Sequence, residues 1–358
     1  MRRPLNQKDQ QRIDPEKIKK VLLIRLRRIG DVIMTTPAVS VLRKNFPGIE
    51  ISYVIEKPYA DLITGNPQIK EIFMLPAHAR IPNFFSVIKK IRKKRFDAVI
   101  DFHGGPRSSL MTLLSGADVK IGYKIKYRHP IYHIKLPRRP RTGPIHSVEN
   151  HVNLVKALGI KSGAIPPLFI PSSTEKENQK IKHIMSLHNL SGSEYISLHI
   201  GAGNRFRSWD VQNYIRLCDL FTQKSGVKVV LLGAQEDKKS SSAIIKSTES
   251  APLSLVGELS LREARDMISH SSLFVGPDSG PMHIAASTGT PIVALFGPTL
   301  PANFGPWRAE HKIIQKDLDC RPCRQRQCVH EDFRCLQGIT PEEVYEAGLE
   351  YLQRETDS

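Results

Sequence analysis

The chain lacks any apolar run approaching the roughly 18 residues that a membrane-spanning helix requires. Its first 20 residues are polar and basic, without the apolar core of a secretory signal. Both absences make the cytoplasm the expected location. Cysteine is sparse, five residues in 358, and the odd number fits a reducing compartment better than a disulfide framework. No G-x-x-x-x-G-K-S/T segment occurs, which argues against a P-loop nucleotidase. The G-x-G of HIGAGNRFRSWD (199–210) lacks the third glycine of the dinucleotide fingerprint, so NAD is not the expected ligand of that loop. There is no internal repeat with a period of 20–50 residues and no low-complexity tract.

What is present is a globular balance of 40% hydrophobic and 25% charged residues, in a length sufficient for two or three domains. The net charge is +18 and is placed unevenly. Residues 1–150 carry 30 Lys and Arg against 12 Asp and Glu, whereas residues 151–358 carry 23 of each. The first part of the chain is therefore expected to face something anionic: a phosphorylated substrate, a membrane surface or nucleic acid. The plainer alternative is a basic solvated surface that maintains solubility.

Two series of alternating strand and helix signals run along the chain. VLLIRL (21–26), ISYVIE and DAVIDF (97–102) read as buried strands, with helices expected over 31–45, up to 96, after Pro106 and over 147–158. Gly, Pro and Ser cluster in GIKSGAIPPLFIPSS (159–173), which reads as a linker. The second series contains YISLHI (195–200), VKVVLLG (227–233), SLFVG (272–276) and PIVALFG (291–297) as strands. Its helices are expected over 210–225, 261–270, after Pro281 and over 341–353, the last with Thr340 as N-cap. Short strands alternating with helices imply parallel sheets covered on both faces. The expected fold is α/β: two doubly wound, Rossmann-like domains facing across a cleft, with ligands beyond the carboxyl ends of the strands.

Three loops at those ends carry chemistry. RLRRIGDVIMTTPAV (25–39) places Gly30, which either turns the chain or lets a ligand approach, beside Asp31. Asp31 reads equally as a helix cap or as a general base at the edge of the cleft. GPDSGPMHIAA (276–286) sets Pro281 at a first helical position, capped by Ser279 or Gly280. Free N–H groups there suit a phosphate, Asp278 suits a sugar hydroxyl and His283 adds a donor. An ordinary capped loop with a partly buried histidine is the alternative. The third loop, residues 199–210, brings Arg205 and Arg207, whose guanidinium groups suit phosphate oxygens.

Cys320, Cys323, Cys328 and Cys335, with His330 among them, have no standard zinc spacing. They read as a structural loop, a zinc or other metal site, or a redox sensor. The basic stretch from IKKIRKKR (88–95) to RHPIYHIKLPRRPRTG (128–143), interleaved with Tyr123, Tyr127 and Tyr132, suits nucleic acid, an acidic lipid surface or a phosphorylated, carboxylated glycan.

RRIGDVIMTTPAVSVLRKNFP, DFHGGPRSS, the G-A-x-x-x-x-R-S-W loop and VGPDSGPMHIAASTGTPIVALFGPT together resemble glycosyltransferase family 9 over roughly residues 20–350. These are the heptosyltransferases of the lipopolysaccharide inner core, and the tail CRPCRQRQCVHEDFRCLQGIT is similar to that family as well. The resemblance implies a GT-B fold, with residues 1–170 as the acceptor-binding domain and 171–358 as the nucleotide-sugar-binding domain. It leaves room for the final helix to pack back on the first. It implies an inverting, metal-independent transfer of L-glycero-D-manno-heptose from ADP-heptose to Kdo–lipid A or a heptosylated inner core. By resemblance Asp31 is the catalytic base, and Gly30 and Arg107 belong to the acceptor side. Arg207 stands where the family carries a phosphate-binding lysine. Asp278, Ser279, Gly280 and His283 match the donor loop, and Glu236 is expected on the adenosine ribose. No metal and no nucleic acid are implied. The region 88–143, with Arg107, is expected to dock the anionic inner membrane of a Gram-negative bacterium from the cytoplasm. The rival readings are a transferase using another nucleotide sugar and a nucleic-acid-binding protein using the basic half.

Overall fold

The computed structural model describes residue 14 and residues 17–78, 80–138, 143–160 and 163–356. Residues 139–142 of the basic stretch and 161–162 of the expected linker lie outside these. The chain divides into two compact units, Met1–Pro171 and Ser172–Ser358.

In the first unit, β1 (Lys20–Ile24), β2 (Glu50–Glu56), β3 (Glu71–Leu75), β4 (Ala98–Asp101), β5 (Val119–Tyr123) and β6 (Ile134–Leu136) form a parallel sheet. Its order is β3-β2-β1-β4-β5-β6. In the second unit, β7 (Tyr195–His199), β8 (Lys228–Leu232), β9 (Leu253–Ser254), β10 (Leu273–Pro277), β11 (Ile292–Phe296) and β12 (His311–Gln315) form another, also parallel. Its order is β12-β11-β10-β7-β8-β9. Read from its other end, the second order repeats the first. Both are the doubly wound arrangement in which strand order reverses beside the first strand. Loops leaving β1 and β4, and likewise β7 and β10, must diverge to opposite faces. Each unit therefore opens a crevice at the carboxyl ends of its two central strands.

The central strands are apolar on both sides because helices cover both faces. Val21, Leu22, Leu23 and Ile24 are fully buried, as are Leu273, Phe274 and Val275. Several helices announce their starts by reciprocal capping. Ser260 Oγ accepts from Glu263 N–H while Glu263 accepts from Ser260 N–H at 2.7 Å, and Thr174 and Glu177 repeat the arrangement.

The helix expected over 31–45 is two helices, Ile29–Ile33 and Thr36–Asn45. Pro37 has no N–H to return to Ile33, so the ladder breaks there. Thr36 Oγ1 donates to the Ile33 carbonyl at 2.7 Å, and Thr35 Oγ1 joins its own N–H on Val32 O, also at 2.7 Å. The helix expected over 210–225 is regular over Val211–Asp219 and widens to a π turn over Leu220–Lys224. The closing helix, Pro341–Thr356, packs on helix Val211–Asp219 and on β10–β12 of the second unit. Trp209, beneath it, donates its indole N–H to Ile339 O at 3.0 Å.

Candidate active site

In the first unit the crevice lies between β1 and β4. The chain leaves β1 through Arg25, a charged residue that is only 3% exposed. Its guanidinium bonds Phe102 O at 2.9 Å and ion-pairs with Asp31. Arg28, at the N-cap of helix Ile29–Ile33, has φ 72°, a strained value for a side chain with a Cβ. Arg28 thus makes the sharp turn that the sequence suggested for Gly30, and Gly30 sits inside the helix. Asp31 is in the first turn rather than at the cap.

Among the described residues three carboxylates stand at this edge, and they differ in exposure. Asp101 is fully buried and accepts from His103 N–H, Gly104 N–H, Ser108 Oγ–H and Tyr132 O–H at 2.7–2.9 Å, so its oxygens are occupied. Glu56 is 4% exposed and bridges to Arg107 at 3.1 Å. Arg107 is consequently half-buried and partnered, which takes it out of any bare cationic surface. Asp31 keeps a quarter of its side chain exposed. Burial pushes its pKa upward, but neighbouring positive charge, Arg25 foremost and Arg28 with it, outweighs this and holds it below 3.8. His151 packs against Phe102, bonds Tyr123 Oη at 2.8 Å and is held down to about 3 by burial and by Arg25. His103 is held down to about 4 for the same reasons. Both histidines are neutral, and Asp31 is the most exposed of the three carboxylates.

That assignment has a pH consequence. A depressed carboxylate pKa means the Arg25–Asp31 pair contributes stability above the unfolded value and loses it as pH falls through the folded one. In Arg25→Gln the charge and hydrogen bond of Arg25 are lost while burial remains, so the Asp31 pKa rises. The acid limb of the rate profile is expected to move up by at least about one unit. Arg25→Lys, which keeps the charge, is expected to restore most of that limb. A limb that stays in place in Arg25→Gln would remove Asp31 from the titration.

In the second unit the crevice lies between β7 and β10. Asp278 and Ser279 follow β10 directly, and helix Gly280–Ala285 begins there with Pro281 in its first turn. The helix has only six residues, so few peptide dipoles add along it. Positive charge comes instead from Arg207, whose Nη1 lies 3.3 Å from Asp278 Oδ2 and 3.2 Å from Asp278 O. Thr299 Oγ1 donates to the same Oδ2 at 2.5 Å. Asp278 is 3% exposed, and its carboxylate holds Arg207 and Thr299 in place. Ser279 Oγ, in contrast, is buried with no hydrogen-bond partner among the described residues. His283 is buried in the first turn of the helix.

The loop after β7 delivers Arg207. Gly201 has no room for a side chain, because a Cβ there would collide with the Asp237 carboxylate. Gly201 thus serves close packing between the loops after β7 and β8, while Gly203, with open space around it, takes a left-handed φ of 58°. Asp237 folds back onto Ala234 N–H at 2.8 Å, leaving Glu236 exposed at the end of β8. Arg205 turns away from Arg207 and stacks on Phe206 and Phe333. A residue that no sequence signal marks completes the arrangement. Gln325 Oε1 accepts from Arg207 Nε at 3.0 Å and from Asn204 Nδ2 at 2.8 Å.

Gln325 comes from the cysteine-rich segment. All five cysteines are free, and Cys320, Cys323, Cys328 and Cys335 line one small cavity with Phe206 and Phe333. Among the described residues no three His, Cys, Asp or Glu side chains are gathered so as to hold a metal ion.

Two doubly wound units in one chain, one presenting an ionised carboxylate and the other a fixed guanidinium beside an unpartnered hydroxyl, are the architecture of a GT-B glycosyltransferase. Residues 84–333 match the profile described as glycosyltransferase family 9 (heptosyltransferase). The chain belongs to that family. It is similar to lipopolysaccharide heptosyltransferase 3 of Escherichia coli, 26% identical over 294 residues that cover 79% of this chain and 84% of the relative. The crystal structure of the glycosyl transferase family 9 protein from Veillonella parvula DSM 2008 superposes with a TM-score of 0.84 at 25% identity, covering 94% of this chain and 98% of that one. The structure of E. coli ADP-heptose lps heptosyltransferase II superposes at 0.78 and 23% identity, covering 94% and 99%.

Proposed function

We propose that this enzyme transfers heptose from ADP-L-glycero-D-manno-heptose to the inner core of lipopolysaccharide, with inversion and without a metal ion. The acceptor is Kdo–lipid A or an already heptosylated core. The observation that carries the reading is Arg207, pinned by Asp278 and Gln325 beside the buried, unpartnered Ser279 hydroxyl. A cation fixed at a switch point is suited to a diphosphate that gains negative charge as it leaves. In the reaction an acceptor hydroxyl oxygen bonds to the anomeric carbon as the carbon–oxygen bond to ADP breaks. Asp31 takes the hydroxyl proton, and ADP leaves with its charge met by Arg207 and by backbone N–H groups near Ser279. Because Arg207 supplies the positive charge, this reading requires no divalent cation. The names of the relatives support heptose as the sugar. The enzyme then works at the cytoplasmic face of the inner membrane, and no helix of the described residues is long and apolar enough to cross it.

The test is a thermal-shift panel with ADP, UDP, GDP, CMP and NAD, with and without EDTA. ADP at 100 times its dissociation constant is expected to add about 2.7 kcal/mol of stability, unchanged by EDTA. Stabilisation by UDP or GDP instead of ADP would keep the fold and discard heptose, and sensitivity to EDTA would discard the metal-independent step.

A further inference from the structure

Helices Ile81–Lys94 and Pro106–Leu114 are the crossovers into and out of β4, so both cover the same face of the first sheet. Their inner stripes, including Phe84, Val87, Ile91 and Met111, fill the core. Their outer sides are not what a solvated surface requires. Ile81 and Phe85, four apart, are 74% and 51% exposed, and Leu110 and Leu113, three apart, are 39% and 50% exposed. Between the two helices runs a groove floored by Phe85, Ile88 and Leu114 and edged by Lys89, Arg92, Lys93 and Arg95. Neighbouring Lys94 is neutralised by Glu71 at 2.7 Å, but among the described residues none of the four edging cations is in an ion pair.

We propose that this face is a docking surface for an anionic lipid bilayer. Bare cations attract phosphate of any origin, but bulky apolar side chains standing among them gain only where they leave water. Helices lying along a bilayer surface meet both conditions at once, with the apolar side chains in the acyl boundary and the cations at the headgroups. The surface narrows the basic region 88–143 to its first two helices and extends it to Ile81 and Phe85. Its chemical sense rests on the proposed function, since an acceptor anchored in lipid is reached only at a membrane, but its test does not.

The test is co-sedimentation of the whole enzyme with vesicles of phosphatidylglycerol and phosphatidylethanolamine, against vesicles of phosphatidylcholine. Binding is expected to the first and not the second, and to weaken between low and high salt. A variant carrying Lys89→Ser, Arg92→Ser and Lys93→Ser is expected to lose about 10²-fold in partitioning, at about fivefold per cation. Ile81→Ser with Phe85→Ser is expected to weaken binding as well while leaving the salt dependence in place. All five positions are exposed, and an unchanged ADP thermal shift would show that the variants still fold. In Phe85→Trp the added fluorescence is expected to shift to the blue on anionic vesicles. Equal binding to both vesicle types, or binding untouched by either variant, would overturn the proposal. So would salt-dependent binding to RNA or duplex DNA that displaces the vesicles and survives Ile81→Ser with Phe85→Ser. If ADP gives no thermal shift while the vesicle results hold, the sugar-transfer reading falls and the docking surface stands.

Discussion

Asp31→Ala is expected to bind ADP as tightly as the parent enzyme and to lose at least about 10²-fold in turnover. The first half of that expectation follows from placement. Asp31 belongs to the first unit, whereas the fixed cation and the unpartnered serine hydroxyl belong to the second. The second half follows from elimination. Asp101 is buried and saturated by four donors, and Glu56 is buried against Arg107, whereas Asp31 keeps a quarter of its side chain exposed. A positioned base contributes about 10²–10⁴-fold, and among the described residues neither of the other two carboxylates at this edge is exposed enough to take over. Asp31→Asn, which keeps the shape and a hydrogen bond to Arg25, is expected to be as slow as Asp31→Ala. The measurement is single-turnover heptosyl transfer alongside ADP titration. A near-normal rate in either variant would remove Asp31 from the chemistry, and a parallel loss of ADP affinity would make its role structural.

Arg207→Ala is expected to lower kcat/KM by about 10²–10³-fold, the scale for losing one preorganised group at a developing charge. Arg207 acts through a geometry as well as a charge. Asp278 fixes Nη1 and Gln325 fixes Nε, so the fork is held before any ligand arrives. Arg207→Lys is therefore expected to recover only part of the loss, because an ammonium cannot keep both anchors. Gln325→Ala, which leaves the cation but frees its Nε side, is expected to act in the same direction with a smaller effect, mainly on ADP affinity. ADP titration and initial rates in the three variants would order them. An Arg207→Lys enzyme indistinguishable from the parent would show that charge alone suffices, and an unaffected Gln325→Ala would confine that residue to the loop fold.

The sequence revealed much of this architecture where local chemistry leaves a mark. Strands buried on both faces, such as VLLI and LFV, appear as continuous apolar runs, and Pro37, Pro106 and Pro281 mark helix beginnings. Edge strands leave little trace. IKL of β6 and HKIIQ of β12 are short and partly exposed, so neither periodicity nor hydrophobicity singles them out. The break in the helix expected over 31–45 was legible in Pro37, but the Thr36 hydroxyl that takes the Ile33 carbonyl was not. Arg25 fell within the expected strand 21–26 without being singled out, because only the folded loop brings it to Asp31 and Phe102 O.

The sequence alone determined the two doubly wound series, the loops that carry Asp31, Arg207 and Asp278, and the excess of positive charge in the first 150 residues. These depend on composition and short-range pattern, which the chain carries wherever it goes. Tertiary structure alone decided which of the charged groups remain available. It saturated Asp101 from four directions, paired Arg107 with Glu56, and brought Gln325 onto Arg207 across 118 residues of sequence. Availability is a property of neighbours, and neighbours distant in sequence are chosen only when the sheets assemble.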